Sequence, residues 1–227
     1  MTENTVATSS LVIQKNNQFI AFNKPAGTPT QPDKTGDTSL WQLAEIYCKH
    51  KLYPAHRLDR PVSGVVLFAK SKNAIQHIET QFREQTVEKT YLAVVDNLPP
   101  QPMGTLQHYI IKDSKKNIGI AYDAPRPDAL LSTLQYAVLG SSENYHLLKI
   151  VLQTGRFHQI RAQLRAVGCH IKGDVKYGAR RSNKDRSIHL HAWQLSFNHT
   201  VTEERVHLIA AIPDENLWNS LKEFTFA

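Results

Sequence analysis

Apolar residues alternate with polar ones, or run together at strand length, in eight segments of the chain. This pattern predicts a substantial β-sheet. In residues 146–152, Leu148, Ile150 and Leu152 share one face, which is typical of a strand covered on at least one side. The predicted strands are residues 18–23, 62–69, 90–95, 105–111, 131–139, 146–152, 188–197 and 205–211.

Helical periodicity appears between these strands. Ser39 and Gln42 form a capping-box pattern ahead of an apolar stripe. Further helices are predicted around residues 75–82, around residues 160–167 with a stop at Gly168, and from Asp214 onward. Because strands and helices intermix without strict alternation, the pattern favours an α+β fold. We expect a mixed, mostly antiparallel central sheet flanked by helices and loops.

The chain shows no internal repeat, so one folded domain over residues 11–227 is the simplest organisation. Residues 1–10 are polar and rich in Thr and Ser, which predicts a flexible tail. Residues 113–128 are polar and contain Pro125 and Pro127. We expect this stretch to be a surface excursion and to mark the boundary if the domain has two lobes.

The amino-acid composition indicates the class of binding partner and the cellular compartment of the protein. The chain of 227 residues has 27 Lys and Arg against 20 Asp and Glu, a net charge of +7 that favours a polyanionic partner. Cys48 and Cys169 lie far apart without a secretory pattern, so we expect a reducing, cytoplasmic location and no catalytic thiol. No apolar run reaches the length of a membrane span, so we expect no membrane partner.

Two kinds of chemistry are disfavoured by the motifs. No glycine-rich phosphate loop is present, which argues against a nucleotide cofactor. His189 and His191 would point to one face of a strand, but no carboxylate or Cys lies at ligand spacing nearby. We therefore expect structural histidines, no metal site and no cofactor.

The densest local motif is residues 56–64, which lead into the second predicted strand. Asp59 stands there between Arg57 and Arg60, whose charges favour its carboxylate form and suit a nucleophile. Pro61 restricts the backbone, and Ser63-Gly64 predicts a turn, so the segment would present one side chain on a stiff loop. A surface ion pair or a turn-capping Asp is the alternative interpretation.

A second motif occupies residues 152–165. On the predicted helix, Arg161 and Arg165 lie at i and i+4, with His158 one turn earlier. This face could contact a phosphate or a carboxylate, while a solvated basic face is the alternative.

Together, six motifs in this order resemble the RluA family of RNA pseudouridine synthases. The matching stretches are residues 23–27, 56–64, 88–93, 155–164, 171–178 and 190–197. The resemblance implies a pseudouridine synthase-like fold with an active-site cleft across the sheet. It also implies that uridine in a ribosomal or transfer RNA stem-loop is isomerised to pseudouridine, without metal or cofactor.

The resemblance assigns roles residue by residue. Asp59 matches the essential aspartate, Tyr91 the active-site tyrosine, Arg161 the basic partner of the aspartate, and Arg57 the arginine that enters the RNA stack in place of the flipped base. We expect further substrate contacts from His56, Lys24, Arg60, Arg156, His158 and Arg165, and further phosphate contacts from Lys70, Lys72, Lys172, Arg180 and Arg181.

Several positions depart from the family pattern and bear on substrate choice. Val62 replaces a usual threonine, Phe157 a frequent small hydroxyl residue, and Ala162-Gln163 a common Val-His. Because the motifs begin near Met1, we expect no separate RNA-binding domain. For the oligomeric state, a monomer is the default expectation. Two alternatives are a non-catalytic RNA-binding or ribosome-assembly protein on the same fold, and a glycoside or nucleoside hydrolase with Asp174 as its second carboxylate.

Overall fold

The computed structural model describes residues 7–225, and the chain divides into two compact units. The first unit comprises Met1–Val87 and Ala192–Ala211, and the second comprises Glu88–His191 and Ile212–Ala227. The predicted boundary at residues 113–128 is wrong, because this stretch lies inside the second unit and contains a strand with the partly buried sequence IGIAY.

Strands and helices intermix along the chain, as the hydrophobic pattern predicts. The strands are β1 Val12–Lys15, β2 Phe19–Lys24, β3 Tyr53–Pro54, β4 Ser63–Ala69, β5 Glu88–Val95, β6 Met103–Asp113, β7 Ile118–Tyr122, β8 Leu130–Ser141, β9 His146–Leu152, β10 Leu190–Asn198 and β11 Arg205–Ile209. The α-helices are α1 Leu40–Cys48, α2 Lys72–Arg83, α3 Gln159–Ala166 and α4 Asn216–Leu221. Short 3₁₀ helices cover Thr8–Leu11, Val175–Tyr177 and Lys222–Thr225.

The first unit is built on antiparallel strand pairs covered by α2. Strand β2 pairs with β1 and β4, β3 pairs with β4, and β10 pairs with β11. Ala74, Ile75 and Ile78 of α2 pack into the same buried cluster as Phe19 and Phe197. Helix α1 begins at the predicted capping box, in which Ser39 and Gln42 bond each other's backbone N–H groups.

A close backbone approach joins β4 to its neighbour β10 in this unit. Gly64 has φ +118°, and a Cβ built on it would lie 2.2 Å from the carbonyl oxygen of Ala192. Only a residue without a side chain fits both the backbone angle and this space. Position 64 therefore controls the start of β4, five residues after Asp59.

The second unit contains five antiparallel strands in the order β5, β9, β8, β6, β7. Helix α3 packs against β6 and β7, where Ala162 joins Ile110, Ile118 and Tyr177 in a buried cluster. The helix ends before Gly168, whose φ of +75° fits the predicted stop.

His189 and His191 have structural surroundings in this unit. The His189 ring stacks on Trp218 of α4, and the His191 ring meets Trp218 edge-on. Nε2 of His189 lies 3.0 Å from the Glu215 carboxylate, which also accepts the Trp218 N–H as the cap of α4. Burial lowers the pKa of His189, which favours its neutral ring in this position.

All eight predicted strands are present with ends shifted by a few residues, and the four helices are present as well. Strands β1, β3 and β7 were not predicted. Thr8–Leu11 forms a 3₁₀ turn where a flexible tail is expected, and residues 1–6 of that tail lie outside the described residues. Among residues 7–225, no helix is long and apolar enough to span a membrane.

Gly64→Ala tests the close approach between β4 and β10. The added Cβ would collide with the Ala192 backbone and force a strained φ, so we expect the free energy of unfolding to fall by more than about 2 kcal/mol. Urea unfolding monitored by circular dichroism measures this loss. Gly36→Ala is the matched control, since Gly36 also has positive φ but no atom within 4 Å of its built Cβ. Equal losses in the two variants would show that φ, and not the contact, matters at position 64.

Candidate active site

Asp59 lies on a tight turn that leads into β4. The Val62 N–H donates to the Asp59 carbonyl at 3.0 Å, so the turn occupies Arg60 and Pro61. The predicted turn at Ser63-Gly64 is wrong, because both residues already belong to β4. The carboxylate side chain itself is half-buried.

Hydrogen bonds hold the peptide groups on both sides of Asp59. On one side, the Thr30 hydroxyl donates to the Leu58 carbonyl at 2.9 Å and accepts the Leu58 N–H at 3.2 Å. On the other side, the Arg60 carbonyl accepts the Gly27 N–H at 2.8 Å and the Lys24 Nζ at 3.2 Å. Asp59 therefore stands on a loop whose backbone is fixed before and after it, as the sequence predicts. No sequence motif predicted that the Thr30 side chain would bond this loop.

Lys24 is fully buried beneath this loop. Its Nζ also donates to the carbonyls of Pro25 at 3.0 Å and Thr28 at 2.8 Å. Burial lowers the pKa of Lys24 to about 7, against the opposing effect of the Asp59 carboxylate, which raises it. The expectation that Lys24 contacts substrate is wrong, because its ammonium has no access to solvent and is bonded to three carbonyls.

The other predicted residues of this loop differ in their exposure. Arg57 is exposed, while Leu58 beside it is buried. The half-buried His56 ring accepts the Leu67 N–H on Nε2 and packs against Phe82. Arg60 is bound by the loop at residues 33–37: it donates to the Thr35 hydroxyl at 2.8 Å, pairs with Asp37, and lies 3.8 Å from Asp33. His56 and Arg60 thus support the loop, and Arg57 faces solvent.

In the second unit, Arg161 forms a buried two-point ion pair with Asp174. Nε donates to Oδ2 at 2.7 Å and an Nη atom donates to Oδ1 at 2.8 Å, with both side chains at most 5% exposed. The guanidinium carbon also lies 4.6 Å from the centre of the Tyr177 ring. Asp174 belongs to the matched stretch at residues 171–178, yet its pairing with Arg161 was not predicted. The pairing of Arg161 with Asp59 stays a prediction.

His158 precedes α3 in a left-handed conformation, with φ +52°. Its ring stacks on Phe157 at 3.8 Å, and its Nδ1 lies 2.8 Å from the Tyr177 hydroxyl, which accepts the Gly119 N–H at 2.6 Å. These contacts offset the strain of the backbone angle. His158 is thus held in place by its neighbours, whereas Arg156 and Arg165 on either side of it along the chain are exposed.

The first turn of α3 is fixed by the buried side chain of Gln159. Its Oε1 accepts the Thr154 hydroxyl at 2.8 Å and the Arg156 N–H at 2.9 Å, and its Nε2 donates to the Thr133 carbonyl at 3.1 Å. This network ties the loop before α3 to strand β8.

Tyr91 lies on β5 opposite Ile150 of β9 and is half-buried.

Neither cysteine is suited to nucleophilic catalysis, and the described residues form no metal site. Burial raises the pKa of Cys169 to about 11 and also raises that of Cys48, which disfavours the reactive thiolate at both positions. Within residues 7–225, no group of three or more His, Cys, Asp or Glu side chains could hold a metal ion.

Comparison with known proteins gives this arrangement a family. Residues 18–166, more than half of the chain, match the family model described as RNA pseudouridylate synthase. The chain belongs to this family. Its reaction is therefore the isomerisation of uridine in RNA to pseudouridine, and its α+β fold is that of the pseudouridine synthases.

Relatives and solved structures agree with this assignment. The ribosomal large subunit pseudouridine synthase C of Rickettsia bellii is 34% identical over 91% of this chain and 69% of its own length. The tRNA pseudouridine synthase C of Vibrio parahaemolyticus is 29% identical over 92% of each chain. The structure of human RNA pseudouridylate synthase domain containing 4 superimposes with a TM-score of 0.77 at 24% identity, covering 96% of this chain and 95% of that one.

The buried ammonium of Lys24 predicts a pH-dependent stability of this synthase. Between pH 7 and about pH 10.5 the unfolded chain keeps the Lys24 proton that the native state has lost, so stability rises with pH in this window. The unfolding free energy of the wild type minus that of Lys24→Met should rise by on the order of 2 kcal/mol between pH 7 and 9. Urea titrations at several pH values measure it. The exposed Lys34→Met is the control and should give a flat difference; a flat difference for Lys24→Met would contradict the prediction.

Removal of either member of the Arg161–Asp174 pair takes the two-point partner away from a buried charge. Arg161→Ala and Asp174→Ala should each lower the free energy of unfolding by about 3–5 kcal/mol, and the double variant by less than the sum. A double-mutant cycle in urea measures the coupling. Arg165→Ala, on the exposed face of the same helix, should change stability by under about 0.5 kcal/mol. Additive losses would show that the two side chains are not coupled.

Proposed function

We propose that Asp59 is the catalytic carboxylate of this synthase and that Tyr91 and Arg161 are its other catalytic residues. The observation that carries the proposal is the fixed backbone around Asp59: Thr30 bonds Leu58, and Lys24 and Gly27 bond Arg60. A loop held in this way presents one carboxylate in one place, which is what a reacting group requires.

The reaction breaks the bond between N1 of uracil and C1′ of ribose and forms a bond between C5 and C1′. The proton on C5 leaves and N1 gains a proton, so no atom is added to the product. Asp59 acts on the flipped nucleotide as a nucleophile or as a base. Attack on the ribose, addition to the uracil ring and removal of a ribose proton all use the same ionised carboxylate, so one variant tests all three.

The target uridine must leave its base stack before Asp59 can reach it, at a cost of a few kcal/mol. Arg57 is the exposed side chain two residues before Asp59. We assign its planar guanidinium to the place that the base leaves. Tyr91 supplies a flat ring for the extruded uracil and a hydroxyl for the proton on C5.

The proposed substrate is a stem-loop of ribosomal or transfer RNA in the cytoplasm, acted on by a monomer. Relatives named for a ribosomal and for a transfer RNA reaction match the chain over similar shares of its length. The exposed cations Arg156 and Arg165 supply phosphate contacts. The non-catalytic alternative and the hydrolase alternative are distinguished from this proposal by the product that is formed.

Asp59→Asn tests the central residue. The amide keeps the shape of the side chain and removes its charge, so turnover should fall at least about a thousandfold while RNA affinity changes little. Tritium release from uridine labelled at C5 measures turnover, with unmodified transfer and ribosomal RNA pools as substrates. Glu84→Gln, an exposed carboxylate of the same unit, is the matched control and should retain full activity.

Two outcomes would overturn the proposal. Undiminished tritium release by Asp59→Asn would remove Asp59 from the reaction. Free uracil as the product of the wild type would favour a hydrolase, and the absence of any release by a wild type that still binds RNA would favour the non-catalytic alternative.

A further inference from the structure

A cavity of about 380 Å³ lies in the second unit, and none of the residues assigned above to catalysis lines it. Its wall combines long cationic side chains with one aromatic ring. The residues that line it are Asp96, Tyr145, His170, Lys172, Gly173, Ala179, Arg180, Arg181, Ser182 and Asn183. A cavity of this size accommodates a nucleotide.

The loop that carries the two arginines is built into the unit by specific bonds. The Asn183 side chain donates to the Ser187 carbonyl at 3.0 Å and hydroxyl at 3.1 Å, and accepts Lys172 Nζ at 2.8 Å. At Gly173, a Cβ would lie 2.7 Å from the Ser187 carbonyl oxygen, so the close approach of the two ends of the loop requires glycine at position 173. Arg180 and Arg181 are thus displayed on an ordered segment.

The charge balance of this wall favours an anion. Lys172, Arg180 and Arg181 are cationic, and both arginines are exposed. The one carboxylate in the wall, Asp96, already accepts the His170 N–H at 2.8 Å and lies 3.1 Å from the His170 ring Nδ1. Arginine forks match the oxygens of a phosphate in geometry and in charge.

The Tyr145 ring favours a nucleotide over a free anion as the occupant of this cavity. Its half-buried ring lines the same cavity as the arginines, and Lys172 Nζ lies 5.9 Å from the ring centre. An aromatic ring beside cations is the arrangement with which proteins bind single-stranded RNA, because bases stack on the ring while cations contact the backbone.

We propose that this cavity binds a second nucleotide of the RNA substrate, other than the isomerised uridine. Its phosphates lie on Arg180 and Arg181 and its base lies against Tyr145. This inference rests on the proposed function, since it takes the polyanion to be the substrate RNA. It gives the synthase a recognition surface that holds a flanking, unpaired segment of the RNA.

The test compares two double variants of the same loop. Arg180→Gln with Arg181→Gln removes two of the three cationic charges that line the cavity. Lys184→Gln with Arg186→Gln removes two equally exposed charges that do not line it. Fluorescence anisotropy with the RNA pool on which the wild type releases tritium gives Kd at several salt concentrations, and tritium release gives KM and kcat.

The first double variant should raise Kd and KM about tenfold or more, with kcat within about twofold of the wild type. The slope of log Kd against log salt should become shallower by about 1.4, or 0.7 for each lost phosphate contact. The second double variant should stay within about twofold of the wild type. Tyr145→Leu should raise Kd at least about fivefold without changing the salt slope. Equal thermal midpoints of all variants would verify folding.

Equal changes in both double variants would overturn the proposal, because a general electrostatic field would then explain the binding. An unchanged Kd in the first double variant would also overturn it. If the wild type releases no tritium from any RNA, the proposed function fails by itself; the Kd comparison, made with the RNA pool that binds most tightly, still decides whether the cavity binds RNA.

Discussion

The contact between Lys24 and the backbone that follows Asp59 is the constraint on which the first unit's site depends. An ammonium group with no exposure to water loses its hydration, and three main-chain carbonyls replace it. One of these carbonyls belongs to Arg60, directly after Asp59. Because the ammonium form, which a pKa of about 7 favours at lower pH, cannot move away without losing these partners, the loop is fixed from below. On the other side of Asp59, the Thr30 hydroxyl fixes the loop by bonding both the carbonyl and the N–H of Leu58.

The second unit uses a related principle with a different residue. Arg161 is buried against Asp174 and lies over the Tyr177 ring, and the hydroxyl of Tyr177 in turn holds His158 and the backbone of Gly119. A buried charge is again satisfied by several partners, and these partners connect α3 to β7. In both units, therefore, the basic residues of the matched motifs split into two kinds. The buried ones, Lys24 and Arg161, are held by several protein partners, and the exposed ones are accessible to solvent.

The sequence predicted the long elements well because their periodicity reports burial directly. Strand β9 has the predicted bounds, and the capping box of Ser39 and Gln42 begins α1. It failed where a short strand depends on a partner distant in sequence. Strand β7 lies in a polar stretch with prolines beyond it, and its pairing with β6 and packing on α3 decide its conformation. The unit boundary was missed for the same reason, since β10 and β11 return to the first unit only through tertiary contacts.

For the site, the motifs predicted a stiff loop around Asp59, and the backbone bonds on both sides of Asp59 confirm it. The motifs could not predict which cations are buried. Lys24 and Arg156 look alike in the sequence as basic residues of matched motifs, yet one is inaccessible and the other exposed. Burial depends on the packing of β2 beneath the Asp59 loop, which no local pattern encodes. The partner of Arg161 was hidden likewise, because Asp174 lies in a separate motif 13 residues further along the chain.

The bonds of Lys24 also bear on how such an enzyme can diverge. All three acceptors are main-chain carbonyls, at positions 25, 28 and 60, so these bonds do not depend directly on which side chains stand there. Mutations at position 28 can accumulate and reshape the surface around the loop while the carboxylate of Asp59 keeps its place, whereas the Arg60 side chain is also bonded to the loop at residues 33–37. Position 24 has no such freedom, since no other side chain combines a flexible stem with three donors on one small charge. A lineage that acquires a new RNA substrate can therefore vary the rim of this loop before it must alter the lysine beneath it.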